Sequence, residues 1–426
     1  MEKTKEKVER KDYVDVKDKL PLSKGIPLSL QHMFAMFGSS VLVPMLLNVD
    51  PATVLLFNGI GTLLYIFITK AGIPSYLGSS FAFIAPATAI ITTYGYEYAL
   101  GGFIATGAVF SIVGLIVSKT GVGWINKLFP PAAMGAILAV MGLELAPTAA
   151  NMAGFIPAAD GSVNMTNIII ALVTIIVAVL GSMMFRGFLK VIPVLISIIV
   201  GYIVSVALGV VNFEAVINAP WFALPTFTTP KFSTAAIVTI VPAVFVVLAE
   251  HVGHLVVTGN LVGRKLEEDP GLHRSLLGDG ISTMISGCFG SVPTTTYGEN
   301  IGVMSITRVY SVWVIAGAAI FSMILSVSGK LTEIIRTIPE PVMGGISILL
   351  FGTIAVAGLR ILIEQKVDFS SSKNLLLTSI VMVIGLSGVS VNVGVPLKGM
   401  GLATVVAIIL NLIFIIIEKL NLINDN

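Results

Sequence analysis

The sequence predicts an all-α polytopic membrane protein with 14 transmembrane segments, arranged as two inverted repeats of seven. Three observations predict it: the apolar composition, the placement of basic residues between apolar segments, and a motif that recurs in both halves. Of the 426 residues, 55% are hydrophobic and only 11% are charged, whereas a soluble domain carries about 25% charged residues. So few charged residues cannot cover so much apolar surface in water. The composition therefore excludes a soluble globular domain.

The predicted spans follow from hydropathy, since a membrane helix needs about 20 mostly apolar residues. Fourteen segments meet this description, the shortest of which could be re-entrant: 27–46, 52–69, 76–93, 99–117, 128–146, 166–185, 189–211, 233–259, 275–289, 293–306, 310–328, 338–358, 374–393 and 399–418. Residues 1–25 are rich in both charge signs and lack the apolar stretch of a signal peptide. We expect them to form a solvated cytoplasmic tail.

The basic residues test this count of segments. If the N-terminus lies in the cytoplasm and the spans alternate, all but four of the 25 Lys and Arg residues fall on the cytoplasmic side. The four exceptions are Lys231, Lys330, Arg336 and Lys398. The distribution predicts a multi-pass protein of the cell membrane with both termini cytoplasmic and an external loop at 147–165.

The recurring motif indicates an inverted repeat. Residues 129–137 (FPPAAMGAI) resemble residues 338–346 (IPEPVMGGI), and each stretch opens the fifth predicted span of its half. Because seven spans is an odd number, the second half must enter the membrane in the opposite orientation.

The third span of each half is interrupted. Residues 78–86 (GSSFAFIAP) and 290–298 (GSVPTTTYG) carry Gly, Pro and small or β-branched residues where a membrane helix should be continuous. Each predicts a short extended stretch followed by a helix start. Irregular backbone at membrane depth is tolerated where it lines a cavity, so paired interruptions point to a substrate site; two kinked helices without a ligand are the alternative.

Two carboxylates are expected at membrane depth, where a charge is costly unless it is paired, protonated or used. Glu250 lies in the eighth span and Glu299 follows the second interrupted segment. His254 is four residues beyond Glu250 and shares its helix face, so we expect these two side chains to pair. His251 points about 100° away and is expected to pack or to contact lipid headgroups. A buried pair that only fixes helix packing is the alternative.

Three further polar residues are weaker candidates. Glu144 is expected to be structural, near the outer end of the fifth span. His32 could reach the site but is expected to bond a backbone carbonyl, and Asp279 could bond to unwound backbone. The His-x-x-His spacing at 251–254 has no nearby Cys or third His, so no metal is expected. No P-loop motif occurs, which indicates an ion-driven secondary transporter without a cofactor.

Four stretches of the sequence resemble those of a known family. The stretch 299–308 (ENIGVMSITR) fits the signature of the nucleobase–ascorbate transporter family, also called nucleobase:cation symporters. The strings at 249–254 (AEHVGH), 78–83 (GSSFAF) and 26–34 (IPLSLQHMF) are similar to the uracil-transporting branch, and the likeness runs from about residue 26 to 420. Glu299 at the first signature position resembles that branch, since purine and xanthine members tend to carry Gln there.

The resemblance implies a division of the spans and an assembly. Residues 26–118 and 233–328 would form a core domain that holds the substrate. Residues 125–212 and 335–420 would form a gate domain, which in relatives also mediates dimerisation. We therefore expect a homodimer.

The resemblance also implies roles for single residues. Glu250 and Glu299 would hold the base, and the backbone N–H groups of Phe81 and Gly298 would bond its carbonyls. The rings of Phe81 and Tyr297 would flank it. His254 would act with Glu250 in proton coupling. We expect the two acids to converge from opposite repeats on one pyrimidine-sized pocket.

These implications together predict a uracil:proton symporter in a lipid bilayer, with no nucleic-acid partner. A purine or xanthine:proton symporter of the same fold is the first alternative. An anion exchanger of this architecture is less favoured because paired carboxylates repel anions, and a channel would give uncoupled flux. An enzyme is not expected, because no nucleophile–base set is evident in the sequence.

Overall fold

The computed structural model describes residues 13–121, 123–392 and 396–420. The fold is mostly helical. In chain order its α-helices are α1 Leu22–Ala35, α2 Phe37–Leu47, α3 Pro51–Ile68, α4 Ile84–Tyr94, α5 Tyr96–Thr120, α6 Gly123–Leu128, α7 Pro131–Glu144, α8 Ala146–Met152, α9 Met165–Met184, α10 Pro193–Ala207, α11 Glu214–Asn218, α12 Thr234–Ile240, α13 Ala243–Val262, α14 Leu272–Cys288, α15 Gly298–Thr307, α16 Val312–Ser326, α17 Gly329–Arg336, α18 Glu340–Glu364, α19 Ser372–Leu386 and α20 Gly399–Lys419.

Short non-α elements complete the chain. The strands are β1 Leu77–Ser79, β2 Thr294–Thr296, β3 Ser390–Asn392 and β4 Pro396–Lys398, paired antiparallel as β1–β2 and β3–β4. The 3₁₀-helices are Phe81–Phe83 and Gly187–Val191, and Glu267–Gly271 forms a π-helical turn.

Hydropathy and helix length make this a polytopic membrane protein. Within the described residues, eight helical stretches are long and apolar enough to cross a bilayer, three of them uniting two consecutive helices. Four shorter apolar helices lie at Phe81–Tyr94, Pro193–Ala207, Val312–Ser326 and Ser372–Leu386. Each of the 14 predicted segments coincides with a helix or a strand–helix unit. Fourteen crossings stay a prediction.

Helices α14 and α15 belong neither to the eight long apolar stretches nor to the four shorter apolar helices. The reason is physical. The buried face of α14 is lined by small and polar residues, among them Ser275, Asp279, Ser282, Thr283 and Ser286. A helix surrounded by protein needs no apolar surface toward lipid, so hydropathy underestimates it. Helix α15 has only 10 residues because β2 takes up the preceding part of its segment.

The helices pack in two groups. In the first, α14 packs on α5 and α3, and α16 packs on α3 and α1. The α5–α14 contact is close because two glycines face each other: a Cβ on Gly107 would lie 2.5 Å from the carbonyl oxygen of Gly280. No larger residue fits at this crossing without moving the backbones apart.

The second group contains α7, α9, α10, α18, α19 and α20. Helix α7 packs on α18 and α19, α9 packs on α10 and α18, and α19 packs on α20. A Cβ on Gly358 would lie 2.6 Å from the Gly135 carbonyl oxygen, so the α7–α18 contact also depends on glycine.

The repeated motif begins these two facing helices. Pro130 and Pro339 precede α7 and α18 with nearly equal backbone angles, φ −62°, ψ 155° and φ −64°, ψ 145°. Proline at a helix start has its φ already set and lacks an N–H that would go unbonded. Both copies of the motif thus begin a helix at the α7–α18 interface.

Part of the N-terminal tail is docked, which corrects the prediction of a solvated tail. Residues 13–20, the N-terminal strap, lie along the connection between α15 and α16. The Val14 N–H donates to the Arg308 carbonyl at 3.0 Å, and the Val312 N–H donates to the Val16 carbonyl at 2.9 Å. Val16 is fully buried. Alternating valines among charged residues put both apolar side chains on one face of an extended segment. The prediction for residues 1–12 lies outside the described residues.

Candidate functional site

The two interrupted segments meet at the centre of the first helix group. Strands β1 and β2 pair antiparallel with the register Leu77↔Thr296, Gly78↔Thr295 and Ser79↔Thr294, and all six residues are buried. Three consecutive threonines favour the extended backbone of β2. This confirms the predicted extended stretch in each half.

Each strand leads into a helix whose N-terminus is uncapped. Phe81 begins the 3₁₀-helix ahead of α4, and Gly298 begins α15; neither preceding residue, Ser80 or Tyr297, caps its helix with a side chain. The first N–H groups of a helix have no partner within it and carry the positive end of its dipole. Because the strands are antiparallel and three residues long, the two N-termini flank a ladder of roughly 7–10 Å. The arrangement supplies two sets of backbone donors on either side of a small polar ligand.

The two predicted acids approach this place. Glu250 lies on α13 and Glu299 in the first turn of α15. Their charges are close enough to interact, and Asp279 is also within electrostatic range of Glu250. The Ser39 hydroxyl donates to Glu299 Oε1 at 3.3 Å. Glu299 is accessible, although Tyr297 and Asn300 on either side of it along the chain are buried.

Both acids come from the second half of the chain. Helices α13 and α15 follow residue 242, so the prediction that the acids converge from opposite repeats is wrong. What the two halves both contribute is backbone, through β1 and β2.

His254 contacts β2 instead of Glu250. Its Nδ1 lies 2.9 Å from the Thr296 carbonyl oxygen, which can only accept, so Nδ1 carries the proton. A Cβ placed on Gly298 would lie 3.2 Å from His254 Nε2, which puts this nitrogen beside the start of α15. The expected His254–Glu250 pair is therefore not formed here. Helix spacing placed the two side chains on one face, but the strand end supplies a nearer partner.

His251 is fully buried, which confirms the expectation that it packs and leaves no room for the alternative of a contact with lipid headgroups. Its Nδ1 lies 3.2 Å from Asp279 Oδ2, and its Nε2 lies 2.7 Å from Ser275 Oγ. The Thr294 hydroxyl donates to the other oxygen of Asp279 at 3.3 Å. A chain of polar contacts thus joins α13, α14 and β2. The interpretation of Asp279 as a partner of the unwound segment is right, although the contact is to a side chain.

Two polar residues beside Glu299 were missed as site residues. The buried side chains of Asn300 and His32 are in contact, with Nδ2 of the amide 2.9 Å from Nδ1 of the ring. The expected carbonyl partner of His32 is thus a side-chain amide. Ser39 is the second missed residue. Asn300 could have been found from its place in the signature, whereas no local signal marked Ser39.

The two predicted aromatic residues differ in exposure. Phe81 is half-buried and meets Phe351 of α18 edge to face at 6.1 Å. Tyr297 is only 4% exposed, and its hydroxyl donates to the Ser79 carbonyl at 2.6 Å. Its ring occupies the space that a side chain on Gly78 would need. Tyr297 therefore packs against β1, and the role of its ring in flanking a ligand stays a prediction.

The remaining candidate, Glu144, has a structural contact. It accepts a hydrogen bond of 2.8 Å from the Met400 N–H, in the first turn of α20. Among the described residues, no cluster of three or more His, Cys, Asp or Glu side chains could hold a metal ion.

Comparison with known proteins identifies the family of this chain. Residues 23–394 match the model of the Permease family of xanthine and uracil permeases. The chain is 60% identical to "Uracil permease" of Escherichia coli (strain K12) over 96% of this chain and 95% of the relative. It is 59% identical to "Uracil permease" of Paenibacillus larvae over 97% and 99% of the two chains.

Two solved structures share the fold at low identity. The transmembrane domain of the cyanobacterial bicarbonate transporter BicA has a TM-score of 0.67 at 15% identity, covering 93% of this chain and 98% of that one. The murine Solute Carrier 26 family member A9 anion transporter has a TM-score of 0.70 at 12% identity, covering 94% and 69%. The family match and the two close relatives establish that the chain is a membrane transporter, not an enzyme, and that it belongs to the nucleobase–ascorbate transporter family of permeases.

Proposed function

We propose that this protein imports uracil together with protons. The observation that carries the proposal is the meeting of two carboxylates, Glu250 and Glu299, with two uncapped helix N-termini at the crossing of β1 and β2. The relatives at 59% and 60% identity are called uracil permeases, which supports the choice of substrate.

The polar groups of the site complement the edges of uracil. Uracil offers two N–H donors and two carbonyl acceptors on a flat ring. Glu250 and Glu299 would accept from the N–H groups, and the N–H groups of Phe81 and Gly298 would donate to the carbonyls. The half-buried Phe81 ring would cover one face. A mismatched analogue strands a buried polar group at about 1–3 kcal/mol, which gives selectivity.

Glu250 is the proposed proton carrier. Two neighbouring carboxylates repel each other when both are ionised, so protonation of one relieves the repulsion. A neutral site is also cheaper to move through a low-dielectric barrier. Proton and uracil then each raise the affinity for the other, which is the condition for coupling. We propose that His254 takes part through β2 and the start of α15, since its Nδ1 bonds Thr296.

We also propose 14 crossings in a seven-plus-seven inverted arrangement, with both termini cytoplasmic in the cell membrane. Pairs of charged residues support the alternation, because both members were expected on the same side in every case: Asp15 with Arg264, Lys373 with Glu418, Asp50 with Arg336, and Glu97 with Lys231.

The packing of the helices also supports the inverted repeat. The pair α3–α16 of spans 2 and 11 has its counterpart in α14–α5 of spans 9 and 4. The pair α7–α19 likewise corresponds to α18–α9. We propose that the first group is the substrate-holding core and the second the gate. The gate exposes apolar side chains along α9, such as Ile176 at 52% and Met183 at 80%, and we propose a homodimer through this domain.

The test is uptake of radiolabelled uracil into proteoliposomes, with and without an imposed inward proton gradient. We expect accumulation only with the gradient and competition by excess unlabelled uracil but not by xanthine or guanine. Competition by xanthine would favour the purine alternative, and flux that neither saturates nor responds to the gradient would indicate a channel.

The Glu250→Gln variant separates binding from coupling in this assay. We expect it to exchange uracil across the membrane without concentrating it. Accumulation equal to that of the parent protein would show that Glu250 is not the proton carrier.

A further inference from the structure

A groove of about 420 Å³ runs between α1 and α16 on the outer face of the first helix group. Its walls are exposed apolar side chains: Leu22 (78%) and Ile26 (44%) on α1, and Ile320 (49%) on α16. Gly25 and Gly317 also line the groove, and Gly317 packs closely against Ser29 of α1. An apolar groove that opens on the side of a membrane helix pair is accessible to lipid chains.

The mouth of this groove is polar and is built by the N-terminal strap. The Lys19 ammonium lies 4.4 Å from the centre of the Trp313 ring. Two contacts hold the strap backbone beside it: the Ser311 hydroxyl donates to the Asp18 carbonyl at 2.5 Å, and Trp313 Nε1 donates to the Lys17 carbonyl at 3.3 Å. The position of Lys19 is thus set by backbone contacts as well as by its interaction with the ring.

The charges around the mouth favour an anion. Lys19 is exposed and lines the mouth, whereas the one exposed acid of the described strap, Asp18, does not line the groove. The other acid of the strap, Asp15, is held by Arg264 at 2.8 Å through both carboxylate oxygens. Basic residues beside the end of a membrane helix attract anionic lipids by about 1 kcal/mol each, and Trp is enriched at the same depth.

We propose that this groove binds one anionic phospholipid. Its phosphate would lie against Lys19, where the ammonium keeps N–H groups free beside the Trp313 ring. One acyl chain would lie between Ile26 and Ile320. The ligand must have a negatively charged end and a long apolar end, because the site has a basic mouth and an apolar floor within one continuous groove.

Trp313 provides the measurement. The chain has three Trp residues, so Trp124→Phe and Trp221→Phe leave Trp313 as the sole indole of the full-length protein. This protein is reconstituted in phosphatidylcholine, and brominated phosphatidylglycerol or brominated phosphatidylcholine is added in increasing mole fraction. Bromine quenches indole fluorescence only at short range. We expect quenching by the phosphatidylglycerol to reach half its maximum at about fivefold lower mole fraction, the factor that one lysine contributes.

Two variants test the two ends of the groove. Lys19→Gln should bring the phosphatidylglycerol curve onto the phosphatidylcholine curve, whereas Lys119→Gln, another exposed lysine at a helix end, should leave it unchanged. Gly25→Leu should weaken quenching by the brominated chains of both lipids. Its side chain fits without a backbone clash, since the nearest atoms to a Cβ there belong to Leu20 at 4.0 Å.

The proposal is overturned if the two lipids quench Trp313 equally in the parent protein, which would indicate ordinary contact with surrounding lipid. Retention of the phosphatidylglycerol preference in Lys19→Gln would overturn it as well. An unchanged Tm of each variant in detergent shows that the fold is intact, and this control does not depend on the proposed transport cycle.

Discussion

The two interrupted segments have the same backbone plan and different side chains. Each has a three-residue strand, an N-cap residue whose side chain does not cap the helix, and a helix start. The last strand residue, the N-cap residue and the first helix residue are Ser79, Ser80 and Phe81 in the first segment and Thr296, Tyr297 and Gly298 in the second. The helix after β1 begins Phe-Ala-Phe, whereas the helix after β2 begins Gly-Glu-Asn. The first segment therefore offers backbone donors and a ring, and the second offers backbone donors and acceptor side chains.

Under the proposed inverted repeat, this difference would let a nearly symmetric scaffold hold an asymmetric ligand. Backbone groups repeat because the fold repeats them, so donors come from both halves. The acids do not repeat: Glu250 and Glu299 both belong to the second half. If proton coupling resides in these acids, the second half of the chain supplies the coupling groups. The first half then contributes to substrate binding alone.

The largest effect on uracil affinity is expected when the carboxylate of the second segment is removed. Glu299→Gln should lower uracil affinity roughly 10- to 100-fold, because it removes the charge-assisted hydrogen bond proposed between the carboxylate and uracil. In the first segment, Ser80→Ala should change affinity less than about twofold, since the Phe81 N–H remains. Binding to the purified protein by isothermal calorimetry measures both. Equal losses in the two variants would contradict the division of roles.

The next largest effect, on stability, is expected at the crossing of β1 and β2. Gly78→Ala places a Cβ 2.4 Å from the Tyr297 ring, so β1 or the ring must move. We expect a loss of about 1–3 kcal/mol in the free energy of unfolding, as for other overpacked cores. Gly302→Ala on α15 is the control, because no atom lies within 4 Å of the added Cβ. Thermal unfolding in detergent should show a lower Tm for Gly78→Ala alone, and an unchanged Tm would argue against this contact.

A smaller effect is expected behind the second segment. Asn300 and His32 share a buried contact of 2.9 Å, so His32→Ala and Asn300→Ala should each destabilise by about 1–3 kcal/mol. Combined, they should destabilise by less than the sum, since each single variant breaks the same contact. Additive changes in Tm would mean that the two side chains do not interact.

The smallest effect is expected at the strap, far from the crossing. The Asp15–Arg264 pair is partly exposed, so Asp15→Asn should cost only a few tenths to about 1 kcal/mol. That loss should shrink further at high salt because exposed charges are screened. We expect no large fall in uracil affinity in this variant, because the strap lies far from the crossing of β1 and β2. Such a fall would indicate that the strap acts on the site.

Several features of the site were accessible to sequence reasoning because their signals are local. Gly, Pro and Thr mark the interrupted segments by their own backbone preferences, and Glu250 and Glu299 stand out as charges in apolar surroundings. The repeated proline motif likewise identified the starts of α7 and α18.

Other features depend on contacts between distant parts of the chain. The partner of His254 is Thr296, 42 residues away, and the ring of Tyr297 is buried because Gly78 lies across the ladder. Val16 is buried only because the α15–α16 connection offers it an unpaired edge. Helix periodicity carries no information about such contacts, so the predictions of a His254–Glu250 pair and of a fully solvated tail were reasonable but wrong.

The most direct test is an experimental structure of the full chain with uracil bound. We predict density for the ring beside the ends of β1 and β2, with its carbonyl oxygens about 2.7–3.2 Å from the N–H nitrogens of Phe81 and Gly298 and its N–H groups facing Glu250 and Glu299. Uracil density elsewhere in the protein, or at this place with both carboxylates turned away from the ring, would contradict the account.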